Sequence, residues 1–133
     1  MKSDLLFSLY LFGRHVRQMV TSTHSDKMLT GTILWLVQRK EQSVTELSTA
    51  LSAQPSTISE KLTQLETEGV IERLTSKEDK RALKINITQK GKVLLNEMLT
   101  LVDHNCVTTL NTFSTEEQLI FETLIAKLLK IGR

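Results

Sequence analysis

Pro55-Ser56-Thr57-Ile58-Ser59-Glu60 places three hydroxyls and a carboxylate directly after a proline suited to the first position of a helix. Short hydroxyl side chains there can reach phosphates and base edges, and first-turn backbone N–H groups suit a phosphate. The chemistry is recognition through hydrogen bonds rather than bond making. Taken alone, such a face is more often the solvated surface of an exposed helix.

A charged segment follows. From Glu72 to Lys92 there are seven basic residues (Arg73, Lys77, Lys80, Arg81, Lys84, Lys90, Lys92) and three acidic ones (Glu72, Glu78, Asp79). That is a local excess of four positive charges, whereas the whole chain carries a formal net charge of only +2. The excess is concentrated beside the polar helix, where a nucleic-acid backbone would run. Pro55 and Lys61 join the expected nucleic-acid contacts, although Lys61 lies nearer the apolar flank of the helix than its outer one.

Other candidate chemistry is thin. His15, His24 and His104 are scattered, with no His-x-x-x-His pair and no Cys-x-x-Cys, so neither a metal nor another cofactor is expected. Cys106, the single cysteine, falls on an apolar helical stripe and reads as a small buried hydrophobe, and it leaves no internal disulfide. Tyr10, Arg14, His15 and Arg17 could line an anion site, although such residues are more often plain helix surface. No nucleophile elbow, phosphate loop or other catalytic motif is recognisable, so the chain is not expected to be an enzyme.

The elements that must position these residues can be read from periodicity. Leu5, Leu9, Phe12, Val16 and Met19 recur at helical steps and predict a first helix. A second starts near Ser25 or Asp26, with Leu29, Ile33 and Leu36 as its apolar stripe, widened by Trp35 and Val37. Ser43 and Glu46 have capping-box spacing ahead of Val44, Leu47 and Leu51. Ser52-Ala53-Gln54-Pro55 turns the chain into a fourth helix, which buries Ile58, Leu62 and Leu65 and stops at Gly69. On that helix Ser56, Glu60, Thr63 and Thr67 point outward, with Thr57, Ser59 and Gln64 on the flanks.

The period then changes. Leu83-Lys84-Ile85-Asn86-Ile87 alternates as a half-buried strand should, with 70–74 as its partner and a polar loop from Thr75 to Arg81 between them. Thr88 caps a long fifth helix with Leu95, Met98, Leu99, Val102 and Cys106 on its apolar side. Ser114 and Glu117 form a second capping box, opening a sixth helix with Phe121, Leu124, Ile125, Leu128 and Leu129.

The chain has 133 residues, 40% hydrophobic and 24% charged, which suits one soluble domain with a real core. With Gly at 5 and Pro at 1, the pattern is a mainly helical fold with a small two-stranded β wing rather than a many-turned β-sandwich. No apolar run is long enough for a membrane span and no signal-peptide cleavage site is evident, which predicts a cytoplasmic protein with no membrane partner.

These residues together resemble the MarR family, the multiple-antibiotic-resistance-type winged-helix regulators. The likeness runs through Ser56-Thr57-Ile58-Ser59, Leu65-Glu66 and Gly69-Val70-Ile71-Glu72-Arg73, then Asp79-Lys80-Arg81 and Ile87-Thr88-Gln89-Lys90-Gly91. It implies one domain over 1–133: a winged helix-turn-helix over 26–92, with its helix-turn-helix near 43–68 and its wing near 70–87. The segments 1–24 and 93–133 would supply dimerisation helices, with Leu5, Leu9, Phe12, Phe121, Leu124 and Leu128 at the interface of a homodimer. It implies double-stranded DNA as the partner, in the form of a pseudo-palindromic operator read by two copies of the fourth helix about 34 Å apart.

Ser56, Thr57, Ser59 and Glu60 are then the expected base-side group. Lys77, Lys80 and Arg81, with Arg73 and Lys84, are the expected phosphate or minor-groove group. Asp79 would hold the Arg81 guanidinium. The family also frequently takes small aromatic or anionic effectors. The chain departs from the family pattern at Glu60 and Gln64, where many members are basic, and at Leu29, where glutamine is frequent. Glu60 could accept a hydrogen bond from cytosine N4 while repelling phosphate. A competing expectation is a winged-helix adaptor or antirepressor that no longer binds DNA, which the modest net charge and Glu60 favour.

Overall fold

The computed structural model describes residues 1–21, 25–75 and 83–130, without the side chains of 19–21, 25, 26, 75, 83 and 101–109. Among these residues the order is α1 (Lys2–Thr21), α2 (Ser25–Arg39), α3 (Val44–Leu51), α4 (Pro55–Thr67), β1 (Ile71–Thr75), β2 (Leu83–Ile87), α5 (Gln89–Leu110) and α6 (Thr115–Leu129). The mainly helical class with a two-stranded hairpin is the one expected.

Local chemistry explains the joints. The Ser43 hydroxyl accepts from the Glu46 N–H at 3.1 Å and starts α3. Ser52 then takes a left-handed conformation (φ 50°), with its N–H donating to the Thr49 carbonyl and that of Ala53 to the Ser48 carbonyl. Pro55 opens α4 at a position whose N–H would have no helical partner. Gly69 (φ +76°) closes α4: its N–H donates to the Glu66 carbonyl and that of Val70 to the Leu65 carbonyl, the paired bonds of a Schellman ending.

The core lies between α2, α3, α4, the hairpin and the start of α5. Ile33, Leu34, Leu47, Ile58 and Leu62 are wholly buried, with Leu65, Val70, Ile71 and Leu95 almost so. Leu34 was not on the expected stripe of α2. It is buried because α2 is covered on more than one side, by α5 and by β2.

The hairpin pairs Ile71 with Ile87 and Arg73 with Ile85, which puts Ile71 and Ile85 inward and Leu74 and Lys84 outward. The first strand begins one residue later than its pattern suggested. Val70 is engaged elsewhere: its N–H belongs to the end of α4 and its carbonyl accepts from the Thr88 N–H.

α1 and α6 are different. None of the residues of α6 is buried, and Leu5, Leu6, Phe7, Tyr10 and Leu11 of α1 are all exposed. The two helices meet through Phe12 and Phe121, whose rings sit edge to face with centroids 5.9 Å apart, and Phe121 also stacks on Phe113. The Ser114–Glu117 capping box is present in both arms, at 2.9 and 3.2 Å. No helix among the described residues is long and apolar enough to cross a membrane.

Candidate nucleic-acid interface

With Ile58, Leu62 and Leu65 directed into the core, α4 turns Ser56, Thr57, Glu60 and Thr63 to solvent, together with Pro55 at its start; Ser59 is half-buried. The exposed set is a polar strip on the first turns of the helix, where backbone N–H groups also point outward.

Three other polar residues of the helix are engaged within the chain. Thr63 donates to the Ser59 carbonyl, Thr67 to the Thr63 carbonyl, and the Gln64 amide to the Glu68 carboxylate at 3.0 Å. The reach of α4 toward a partner is therefore concentrated in Ser56, Thr57, Ser59 and Glu60.

Two of the expected contacts sit against other parts of the chain. Lys61 is only 7% exposed and lines a recess with Lys27, Thr30, Gln64, Glu68 and Leu94, on the flank of α4 away from the polar strip. Lys61 therefore lies off the polar strip formed by Ser56, Thr57 and Glu60.

Arg73 is held by α4. Its guanidinium donates to both oxygens of Glu66, at 3.4 Å each, and to the Thr63 hydroxyl at 3.0 Å, and its backbone N–H donates to Glu66 Oε2 at 3.3 Å. A guanidinium whose donors are directed at a carboxylate and a hydroxyl is a strut between wing and helix. The pair is part-exposed, so its value lies in geometry more than in stability.

Lys84 is exposed on the outward face of β2, where a cation is free to meet phosphate. Lys77, Asp79, Lys80 and Arg81 lie outside the described residues.

The base of the wing is fastened by a group the sequence suggested only as a helix cap. The Thr88 hydroxyl accepts from the Gly91 N–H at 3.1 Å, and faces the carbonyls of Gly69 at 2.6 Å and Val70 at 3.0 Å. One hydroxyl thus starts α5 and closes the turn after α4. Gly91 is required at that joint: a Cβ there would stand 2.2 Å from the Val70 oxygen and 2.6 Å from Ile87 Cγ2. Lys90 adds a bond from Nζ to the Glu68 carbonyl at 2.8 Å, a cation at the C-terminal end of α4. Thr88-x-x-Gly91 was the visible signal for this joint; the Lys90 and Glu66 contacts had none, because they form only once the hairpin folds back.

Elsewhere, the Arg14 guanidinium donates to the Tyr10 hydroxyl at 3.3 Å and lies 5.8 Å from its ring, so two of the residues weighed as an anion site face each other. His24 and the side chains of Met19, Val102, His104 and Cys106 are outside the description. Among the described residues no group of three His, Cys, Asp or Glu is placed to hold a metal.

Helix, turn, exposed polar helix and strand pair, joined in this order, make a winged helix-turn-helix. The family model that matches is that of the MarR family, over residues 32–83, so the resemblance read from the sequence holds across the winged part. Solved structures extend the likeness of fold to the flanking helices. A MarR family transcriptional regulator of Rhodococcus sp. RHA1 is similar at 18% identity and a TM-score of 0.73, over 97% of this chain and 96% of that one. A MarR family protein of Mycobacterium tuberculosis, in complex with p-aminosalicylic acid, is similar at 24% identity and 0.71, over 93% and 97%. The transcriptional regulator BldR of Sulfolobus solfataricus is similar at 22% identity and 0.68, over 98% and 96%. These solved structures share the fold of this chain.

Proposed function

We propose that the chain is a sequence-specific transcription regulator that binds double-stranded DNA as a homodimer and represses by occupying an inverted-repeat operator. The observation that carries this reading is the exposed strip Ser56, Thr57 and Glu60, with half-buried Ser59 beside it, on a helix tied to the hairpin by Glu66, Arg73 and Thr88. In this reading α4 enters the major groove, Ser56, Thr57 and Ser59 meet phosphates and base edges, and Glu60 accepts from cytosine N4. Lys84 and the tip residues Lys77, Lys80 and Arg81 follow the backbone, with Asp79 steadying Arg81. Leu5, Leu9, Phe12, Phe121, Leu124 and Leu128 belong to the surface that pairs two copies.

A small aromatic effector belongs to the same proposal. A recess of about 210 Å³ between α2 and α5, lined by Met28, Gly31, Thr32, Trp35, Leu95 and Met98, suits an apolar ring. The similar protein from Mycobacterium tuberculosis is solved in complex with p-aminosalicylic acid and with salicylic acid.

The test is selection of bound duplexes from a random pool, followed by a salt titration on the winner. The expected result is a two-fold symmetric site and a steep fall of log affinity with log salt. A protein that enriches no duplex at low ionic strength would instead be the adaptor, and the proposal would fail.

A further inference from the structure

Two recesses adjoin the contact between α2 and α5, and one side chain belongs to both. The apolar recess, about 210 Å³, takes its walls from α2 and α5, and no residue of α4 lines it. The other, about 140 Å³, is polar and reaches α4: Lys61, Gln64 and Glu68 line it with Lys27, Thr30 and Leu94. Met98 lines both. Its neighbours on α5 do not: Leu95 and Leu99 line only the apolar recess and Leu94 only the polar one.

Met98 is buried against the one position of α2 that offers it no side chain. A Cβ added at Gly31 would stand 3.3 Å from Cβ and Cγ of Met98 and 3.4 Å from its Cε. There is therefore no slack toward α2, and the room that remains lies in the two recesses. Methionine suits such a place. It is unbranched, with several rotatable side-chain bonds that each have staggered wells, so it fills one gap or the other without strain.

We propose that Met98 is a movable partition that couples the apolar recess to α4. A ring seated in the apolar recess takes the room on that side and leaves Met98 the polar side. There it presses on Lys61 and Gln64, which stand three residues apart on one side of α4. Lys61 is almost wholly buried and has little room to yield, so the push passes to the helix that carries Ser56, Thr57 and Glu60. A ligand shifts an equilibrium only through its different affinity for the two states, and occupied space supplies that difference here. The effect on DNA rests on the reading of α4 proposed above; the movement of Met98 does not.

Toluene, a neutral ring, is the probe. The chain has four methionines and one tryptophan, so the methionine methyl signals and the indole N–H signal of Trp35, which lines the apolar recess, can be followed by NMR in the intact protein. At saturation toluene should move the Trp35 and Met98 signals, and with them the backbone N–H signals of Lys61 and Gln64. In Met98→Ala toluene should still move Trp35, while Lys61 and Gln64 keep their positions. Gly31→Ala makes the push without a ligand and retains Met98, so it serves even if Met98→Ala does not fold. It should shift Met98, Lys61 and Gln64 by itself and weaken operator binding by about threefold or more. Three results would overturn the proposal: Lys61 and Gln64 unmoved in the parent while Trp35 moves, the same two signals moved equally in Met98→Ala, or both at their parent positions in Gly31→Ala. A parent that binds no duplex fails the regulator reading instead, because the NMR signals are read without DNA.

Discussion

The winged part and the pair α1–α6 both carry many leucines and isoleucines and treat them in opposite ways. In the winged part, leucines and isoleucines from α2, α3, α4, β1 and α5 reach nearly complete burial within one chain. In α1 and α6 the same residue types stay on the surface: Leu5, Leu6, Phe7 and Leu11 on one helix, and Leu119, Ile120, Leu124 and Leu128 on the other. Contiguous apolar surface of this kind marks an interaction site. The winged part closes its own core, whereas the flanking helices leave an apolar face open.

The sharpest way to break that contrast is to damage each half and compare. Leu62→Ala removes a wholly buried side chain and should cost about 2–5 kcal/mol in urea unfolding, while self-association persists. A loss below about 1 kcal/mol would show that the reading unit is not tightly packed. The paired change Leu124→Glu with Leu128→Glu should act the other way. In sedimentation it should weaken self-association by about a hundredfold or more, while far-ultraviolet circular dichroism stays near that of the parent. An unchanged sedimentation profile would remove α6 from the proposed interface.

A finer test separates strut from contact inside the reading unit. Arg73→Ala should lower operator affinity by about tenfold and leave the salt dependence as it was, because its donors are directed at Glu66 and Thr63. Lys84→Ala should reduce the slope of log affinity against log salt by about 0.9 if it meets one phosphate. If Arg73→Ala flattens the slope as Lys84→Ala does, Arg73 touches DNA after all.

The smallest effect concerns the α6 cap. Hydrogen bonds from the Ser114 backbone, then from its side chain, hold the Glu117 carboxyl below its ordinary value. A depressed carboxyl contributes to stability above its unfolded pKa and loses that contribution as pH falls through the folded one. Carboxyl-carbon titration should therefore place the Glu117 midpoint below the ordinary glutamate value, and Ser114→Ala should move it up. No difference between parent and variant would mean that the box does not form in solution.

Signals that act within a few residues were legible in the sequence: Ser43 before α3, Pro55 at the head of α4, Gly69 at its end, and Ser114 with Glu117 before α6. Each is a backbone requirement met by a neighbour, so spacing alone reveals it. The buried line Ile58–Leu62–Leu65 followed from period in the same way. What period could not show was docking. Lys61 reads as a cation on the apolar flank of α4, and only the packing shows the recess that it shares with α2 and α5. Arg73 looked like a phosphate contact but is held by a carboxylate seven residues earlier. Both depend on how the hairpin and α5 fold back on α4, which no local pattern encodes.

The knuckle at Thr88, Lys90 and Gly91 has a mechanical consequence. α5 runs 22 residues from that point, a rod about 33 Å long. Its near end is riveted to the turn that follows α4 by one hydroxyl, one ammonium and a contact with no room for a methyl group. A swing of about 6° pivoting there displaces the far tip by about 3.5 Å on such a rod. Leverage also runs in reverse: whatever grips the distal end of α5 sets the pitch at which the reading helix is presented.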